Sequence, residues 1–464
     1  MIESDTQWKE TIRTRTDAKS VFLVSLAFLG FLGISYLFGL SPFIPLLAFL
    51  GLTALALFIF SPKVFLFILI VVRMSLDYTS QYFTLSVFEH QLTLSEAFGV
   101  GIGVIGLLTL VRNVRRLASF PLLPPFVLMM LWGALSFFYS ISPASTLRDL
   151  LRIFDLFTFG FLAYTVVRDR NDFKRLLQLL LFSFLVPLLV AFYQSVAGIG
   201  FQDESSPIPR IFGTFAHPNV FSLALFAALA LGVLYRTEYA SSKREKYLSS
   251  AFLVAAGLAM VLTLSRVAWV SAAVFFLILS AYRYRKIILP LILIPVLAFA
   301  LSDTIRVRTT QTFDLNPDSS IAWRLGLWND NVRKTYVDGR EWYGYGLESF
   351  PVASEDLRGI KLGSNEAHND YVKFFVEGGY IGLIVFLTYV VLILRSLFLG
   401  FRNTKDDTRL KTTFGLLVIL LLSIEASALS DNVFRNTPLW IVFFSAAGGA
   451  LSLSRLQRKA KKIS

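Results

Sequence analysis

Three groups of polar residues in this otherwise apolar chain have the types and spacing to do chemistry. The first is Asn365-Glu366-Ala367-His368-Asn369-Asp370-Tyr371, which closes the one long polar segment and runs into Glu377-Gly378-Gly379-Tyr380-Ile381-Gly382-Leu383. His368 is one of only three histidines. Histidine is the side chain whose ordinary titration lies near neutrality, so it is the natural proton acceptor there. The second group is Pro209-Arg210-Ile211-Phe212-Gly213-Thr214-Phe215-Ala216-His217-Pro218-Asn219, and the third is Ser265-Arg266. An arginine fork donates parallel hydrogen bonds to phosphate oxygens and keeps its charge. Arg210 and Arg266 at a membrane surface suit the diphosphate of a lipid, a leaving group that needs its charge neutralised. A histidine beside them can take the proton of an incoming hydroxyl. Together these groups describe glycosyl transfer from a polyprenyl diphosphate donor to a hydroxyl acceptor. Arg324, His217, Asn219, Asn369 and Tyr371 complete the candidate substrate-binding set.

Each group also has a structural reading. Arg266 can snorkel at a helix end, Arg210 can pair with Asp203 or Glu204, and His217 can cap the following helix with Asn219. His368 can be a satisfied polar residue at a helix start. Tyr371, Val372 and Phe375 follow it at helical spacing and are expected on its face, whereas Glu377 falls off that face. Arg152 and Asp155, three residues apart, are expected to form an intramembrane pair. The chain lacks Asp-x-Asp, a Walker loop and a Gly-x-Ser-x-Gly elbow, which argues against a metal-dependent nucleotide-sugar site, ATP use and a serine hydrolase. Zero cysteines exclude disulfides and thiolate chemistry, and the scattered histidines predict no metal site; no cofactor is expected.

The elements that must position these groups are membrane spans. Of the 464 residues 55% are hydrophobic and only 16% charged, well below the quarter expected of a soluble chain. Apolar runs long enough to cross a bilayer recur throughout. The expected spans are 21–38, 43–60, 64–75, 95–111, 122–139, 149–167, 176–197, 218–235, 248–264, 267–282, 287–302, 379–394, 412–430 and 438–453, with the short third one a possible re-entrant segment. The fold class is therefore all-α and polytopic, with about 12 to 14 transmembrane helices. The polar first 19 residues and the lack of a small-residue cleavage site predict a retained first span. The formal net charge of +13 reflects Lys and Arg in cytoplasmic loops and not a nucleic-acid partner.

The basic loops alternate along the chain. Arg112, Arg115 and Arg116, then Arg168 to Arg175, Arg236 to Lys246, Arg283 to Lys286, Arg402 to Lys411 and both termini fall on one side. The positive-inside rule makes that side cytoplasmic. The segment 248–282, read as one helix of about 35 residues, would be about 52 Å long against a bilayer of about 30 Å. Both flanks are basic, so it must be a hairpin with Arg266 at its outer tip. The longest outer segment, 303–378, holds nine Lys/Arg and twelve Asp/Glu, so it is mildly acidic. It also carries Trp323, Trp328 and Trp342, enough for a folded cap of short helices. The expected division is 1–302 as transmembrane helices, 303–378 as the cap, and 379–464 as C-terminal helices with a basic tail.

At these residues the chain resembles the O-antigen ligase and Wzy-type polymerase superfamily. The matching elements are Arg210-Ile-Phe-Gly-Thr-Phe-Ala-His-Pro-Asn219, Leu264-Ser265-Arg266-Val-Ala-Trp269, Trp323-Arg324 with Trp328, Gly344-Tyr-Gly346, and His368-Asn369 with Glu377-Gly378 and Gly382-Leu383. The resemblance implies a metal-independent, GT-C-like glycosyltransferase of the bacterial inner membrane with its site and long helical loop on the periplasmic side. It implies transfer from undecaprenyl-diphosphate-linked glycan to lipid A-core (a ligase) or to another lipid-linked glycan (a polymerase). On it, Arg210 and Arg266 bind the diphosphate and His368 activates the acceptor hydroxyl. A membrane transporter is the alternative of a different class; it predicts ionisable residues deep within the spans.

Overall fold

The computed structural model describes residues 43–80, 84–87, 90–202, 208–285, 288–311, 316, 320–358, 365–404 and 406–463. The expected span at 21–38, the basic N-terminus, and Asp203, Glu204, Lys286 and Lys405 lie outside them. The chain divides into two units, 1–66 and 67–464. The described part of the first holds the apolar helix α1 (Phe43–Phe60) and the start of α2 (Pro62–Ser80). The expected short third span is thus a full 19-residue helix, about 28 Å at 1.5 Å per residue, because Arg73 and Asp77, which interrupt its apolar run, pair one turn apart.

The second unit is a helical bundle with one small addition to the all-α expectation. Strands β1 (Thr84–Val87) and β2 (His90–Thr93) form an antiparallel hairpin with Val87 opposite His90. Thr93 then starts α3 (Leu94–Arg112) with a capping box: its hydroxyl accepts from the Glu96 N–H while Glu96 accepts from the Thr93 N–H. After a helical turn at Val114–Leu117 come α4 (Leu123–Phe137), α5 (Pro143–Val166), α6 (Arg170–Phe182) and α7 (Leu185–Ala197). The single span expected at 176–197 is broken at Ser183–Phe184. Pro187 has no N–H to give the Ser183 carbonyl, so the helix cannot run through. Next are α8 (Pro218–Leu234), continued by a π turn to Tyr239, α9 (Lys243–Leu262), α10 (Arg266–Tyr282) and α11 (Ile288–Leu301).

Among the described residues, seven helical stretches are long and apolar enough to cross a membrane: α3, α6–α7, α8, α9, and the later helices α15 (Asp370–Asn403), α16 (Thr408–Ser427) and α17 (Thr437–Ile463). Two shorter apolar helices, α4 and α10, join them. Helices α8, α16 and α17 are largely buried and form the centre, while α3 and α9 turn most of their apolar surface outward. A helix that is apolar all round and still exposed is stable only against lipid.

The hairpin expected at 248–282 is present. Helix α9 ends at Leu262, Leu264 takes a left-handed φ of 52°, and Arg266 is the first residue of α10. Glu245 at the start of α9 pairs with Lys174, and Arg283 at the end of α10 pairs with Glu238, so both ends return to one face.

Between α11 and α15 the described residues form helices α12 (Asp303–Thr310), α13 (Ser320–Val337) and α14 (Phe350–Arg358). Leu327, Tyr345, Phe350, Ala353, Ala367, Phe375 and Val376 form a buried core of their own, which is what lets this segment fold as a cap. Trp328 donates from Nε1 to the Ala367 carbonyl at 2.5 Å, tying α13 to the segment that carries His368. Helix α15 runs from this cap into the bundle and bends at Gly379, with φ 59° and ψ −154°. The amides of Tyr380 and Ile381, freed by the bend, donate to the carbonyls of Glu341 and Trp342 at 2.8 and 3.2 Å. A Cβ at position 379 would collide with those same carbonyls, so only glycine fits.

Candidate active site

His368 does not lie on a helix. Asn369 is the N-cap of α15, its Oδ1 accepting from the N–H groups of Tyr371 and Val372 at 2.9 and 3.1 Å. His368 precedes the cap in a left-handed conformation, φ 48°. The expected sharing of one helix face with Tyr371, Val372 and Phe375 therefore fails, because a left-handed residue redirects the side chain away from helical spacing. A non-glycine residue in that region is uncommon and is held only when its surroundings over-determine it.

Those surroundings are the loop 428–436 between α16 and α17. The Asp370 N–H donates to the Ala428 carbonyl at 2.8 Å, and the Asp370 carboxylate accepts from the Phe434 N–H at 2.7 Å. Arg152 of α5 donates to the Phe434 carbonyl and to Asp149, each at 2.5 Å, with its guanidinium 4.9 Å from the Phe434 ring centre. The expected Arg152–Asp155 pair is thus replaced by Arg152–Asp149, the residue one turn nearer the loop. Glu366 takes the Arg435 guanidinium and the Asn432 amide, the latter at 2.9 Å. Arg435 also reaches Glu348 at 2.8 Å, and Lys373 bridges Glu348 and Glu377 at 2.6 and 2.7 Å. Cap, α15 and the 428–436 loop are locked together by this network of charges. Glu377 is engaged with Lys373 and not with His368, as the spacing predicted.

The loop presents Asp431 to the histidine: His368 Nδ1 lies 3.1 Å from Asp431 Oδ1. The other carboxylate oxygen accepts from Asn219 Nδ2 at 3.0 Å, and Asn219 Oδ1 accepts from Arg210 Nη2 at 2.8 Å. Arg210 Nε donates to the Thr263 carbonyl at 2.9 Å, three residues before Arg266. A continuous chain, His368–Asp431–Asn219–Arg210, therefore ends at the hairpin tip that carries Arg266. Arg324 adds a fourth arm from the cap, donating from Nη1 to the Ser430 carbonyl at 3.0 Å and drawing on the charge of Asp431.

The electrostatics fix which imidazole nitrogen can act. Burial by itself raises the Asp431 carboxyl. The His368 hydrogen bond and charge, Arg324 and the Asn432 N–H outweigh it and hold the group down at about 2. An ionised carboxylate can only accept. His368 must therefore carry its proton on Nδ1, which leaves the Nε2 lone pair outward; no described residue engages Nε2. The imidazole is partly exposed, its side chain at 20% of full accessibility, whereas Asp431 beneath it is buried. This is the arrangement of a general base with an orienting acid.

Arg266 occupies the first turn of α10, which holds no acidic residue. A guanidinium on the positive end of a helix dipole is unfavourable alone and favourable beside an anion. The remaining candidates have structural duties. His217 is the N-cap of α8, its Nδ1 accepting from the Asn219 N–H at 3.1 Å, with Pro218 at the first helical position. Asn369 is consumed by its cap, and the Tyr371 hydroxyl donates to the Glu425 carbonyl at 3.3 Å. Arg210 is buried.

Comparison with known families bears on the stretch that carries much of this geometry. Residues 251–387 match the family model described as O-Antigen ligase. This stretch is similar to the O-antigen ligase family. No curated protein matches the chain. The matched stretch contains Arg266, Arg324, His368, Asn369 and Tyr371, while Arg210, Asn219 and Asp431 lie outside it and reach it only through the tertiary fold. Sequence reasoning missed Asp431. The available signal was its position: it is the sole carboxylate in 426–436, a short polar loop between the last two spans.

Proposed function

We propose that the protein is a membrane glycosyltransferase that moves glycan from an undecaprenyl-diphosphate donor to a hydroxyl acceptor on the periplasmic face, with lipid A-core as the acceptor. The observation that carries this reading is the His368–Asp431 dyad linked through Asn219 to Arg210. His368 Nε2 takes the proton of the acceptor hydroxyl as its oxygen attacks the anomeric carbon. The bond from that carbon to the donor diphosphate breaks, and the diphosphate leaves with the bonding pair. Its charge is received by Arg266, aided by the α10 dipole, and by Arg210. The imidazolium formed on His368 is stabilised by ionised Asp431. The O-antigen ligase family match and the basic loops on the opposite face support this assignment and its orientation.

The test is reconstitution of the purified protein with undecaprenyl-diphosphate glycan, with and without lipid A-core. Glycan on lipid A-core is expected, and none with His368→Ala. Longer lipid-linked chains without lipid A-core would replace the ligase reading with polymerisation. Loss of neither product in His368→Ala would sink the proposed base.

A further inference from the structure

A second polar site lies on the opposite face of the bundle and takes no part in the transfer reaction. Helix α16 begins there at Thr408 and ends near Asp431 at Ser427, so its 20 residues separate the two sites by about 30 Å at 1.5 Å per residue. A cavity of about 220 Å³ is lined by Arg170 and Lys174 of α6, Ser241, and Asp407, Arg409 and Leu410 at the start of α16. That is several waters' worth of space at about 30 Å³ each, enough for a phosphate group and the atoms that carry it.

The charges around it do not balance. Arg170 pairs with Asp407 at 2.8 Å, and Asp407 also caps α16 and accepts from Gln457. Lys174 pairs with Glu245 at 2.7 Å. Both anions are thereby spoken for. The Arg409 carbonyl accepts from the Thr413 hydroxyl. Its guanidinium has no hydrogen-bond or carboxylate partner among the described residues, yet it lines the cavity beside Arg170 and Lys174. Three cations thus face one space whose only lining acid is already shared three ways. The chain reaches this site from α15, whose last two turns leave Phe398 and Leu399 exposed. Basic pockets between helices on the cytoplasmic side of membrane proteins hold anionic lipid headgroups.

We infer that this cavity is a binding site for a phosphate group carried by an anionic phospholipid, held by Arg409 with Arg170 and Lys174. Free phosphate offers the same oxygens, and the test separates the two sources. Purified protein in phosphatidylcholine nanodiscs receives increments of phosphatidylglycerol, and retained lipid is read by native mass spectrometry. Wild type is expected to retain phosphatidylglycerol over phosphatidylcholine. Arg409→Gln removes one cation and is expected to lower that preference about five-fold. Arg244→Gln removes an exposed cation outside the lining and is expected to leave it unchanged. Equal losses in both variants would mean a diffuse surface charge and overturn the site. Displacement of the lipid by inorganic phosphate would overturn the lipid as its source. No preference in wild type would overturn both.

Discussion

The sharpest prediction concerns Asp431→Asn, a substitution that keeps shape and removes charge. Its effect follows from the hydrogen-bond chain. Arg210 donates to Asn219 Oδ1, which fixes the Asn219 amide so that Nδ2 points at position 431. A new amide at 431 meets a donor whichever way it turns: its NH2 faces Asn219 Nδ2 on one side, or the Asn432 N–H beside His368 on the other. With the NH2 toward His368 the neutral imidazole must carry its proton on Nε2, and the base is lost. With the oxygen toward His368 the tautomer survives, but the charge that stabilises the imidazolium is gone and two donors oppose each other at Asn219, so turnover falls in either case. A positioned general base contributes about 10²- to 10⁴-fold, or about 3 to 5 kcal/mol at 1.36 kcal/mol per decade. The turnover number of Asp431→Asn should fall by that factor in the reconstituted transfer assay, while the KM for the lipid donor changes far less because both arginines remain. His368→Ala should be equally slow. Because the two residues act as a unit, His368→Ala/Asp431→Asn should cost little more than either alone. Turnover of Asp431→Asn near the wild-type rate, or fully additive losses in the double variant, would refute the tautomer argument.

Three further outcomes test the frame around the site. Gly379→Ala should destabilise the protein by about 2 kcal/mol or more, because an alanine at that positive φ meets the Glu341 and Trp342 carbonyls; thermal unfolding in detergent reads it, and an unchanged midpoint would contradict the bend. Burial alone would raise the Glu348 carboxyl, but Lys373 and Arg435 hold it at about 2 against an ordinary 4.5. Its folded value is depressed, so its contribution is complete above the ordinary value and is lost as pH falls through about 4 toward 2. The unfolding midpoint of wild type should drop across that window more steeply than that of Glu348→Gln, and parallel curves would argue against the ion network. In this cysteine-free chain, a cysteine replacing exposed Glu355 should react with an impermeant thiol reagent in intact cells, and one replacing Lys243 should not; the reverse pattern would invert the assigned orientation.

The spans, the hairpin tip at Arg266 and the polar cap were legible because hydropathy, helix length and loop charge are local properties of the chain. A bilayer converts them directly into topology. Arg210, Arg266 and His368 could be singled out for the same reason: polar side chains at the ends of apolar runs all lie at one surface. What the chain order did not disclose is which of these groups touch. Asp431 is 63 positions from His368 and 212 from Asn219, and its role exists only because Asp370, Arg152 and Glu366 dock the 428–436 loop against the start of α15. The break at Ser183 and the full length of α2 had visible causes in Pro187 and in the Arg73–Asp77 spacing. The left-handed turn at His368 had none, since a non-glycine residue is held there by long-range contacts and not by its own preference. Sequence by itself determined the class and most of the apolar helices, and it singled out one end of them for the proposed chemistry. Tertiary packing decided which groups touch and which imidazole nitrogen faces Asp431, because those depend on distances between segments that no local pattern encodes.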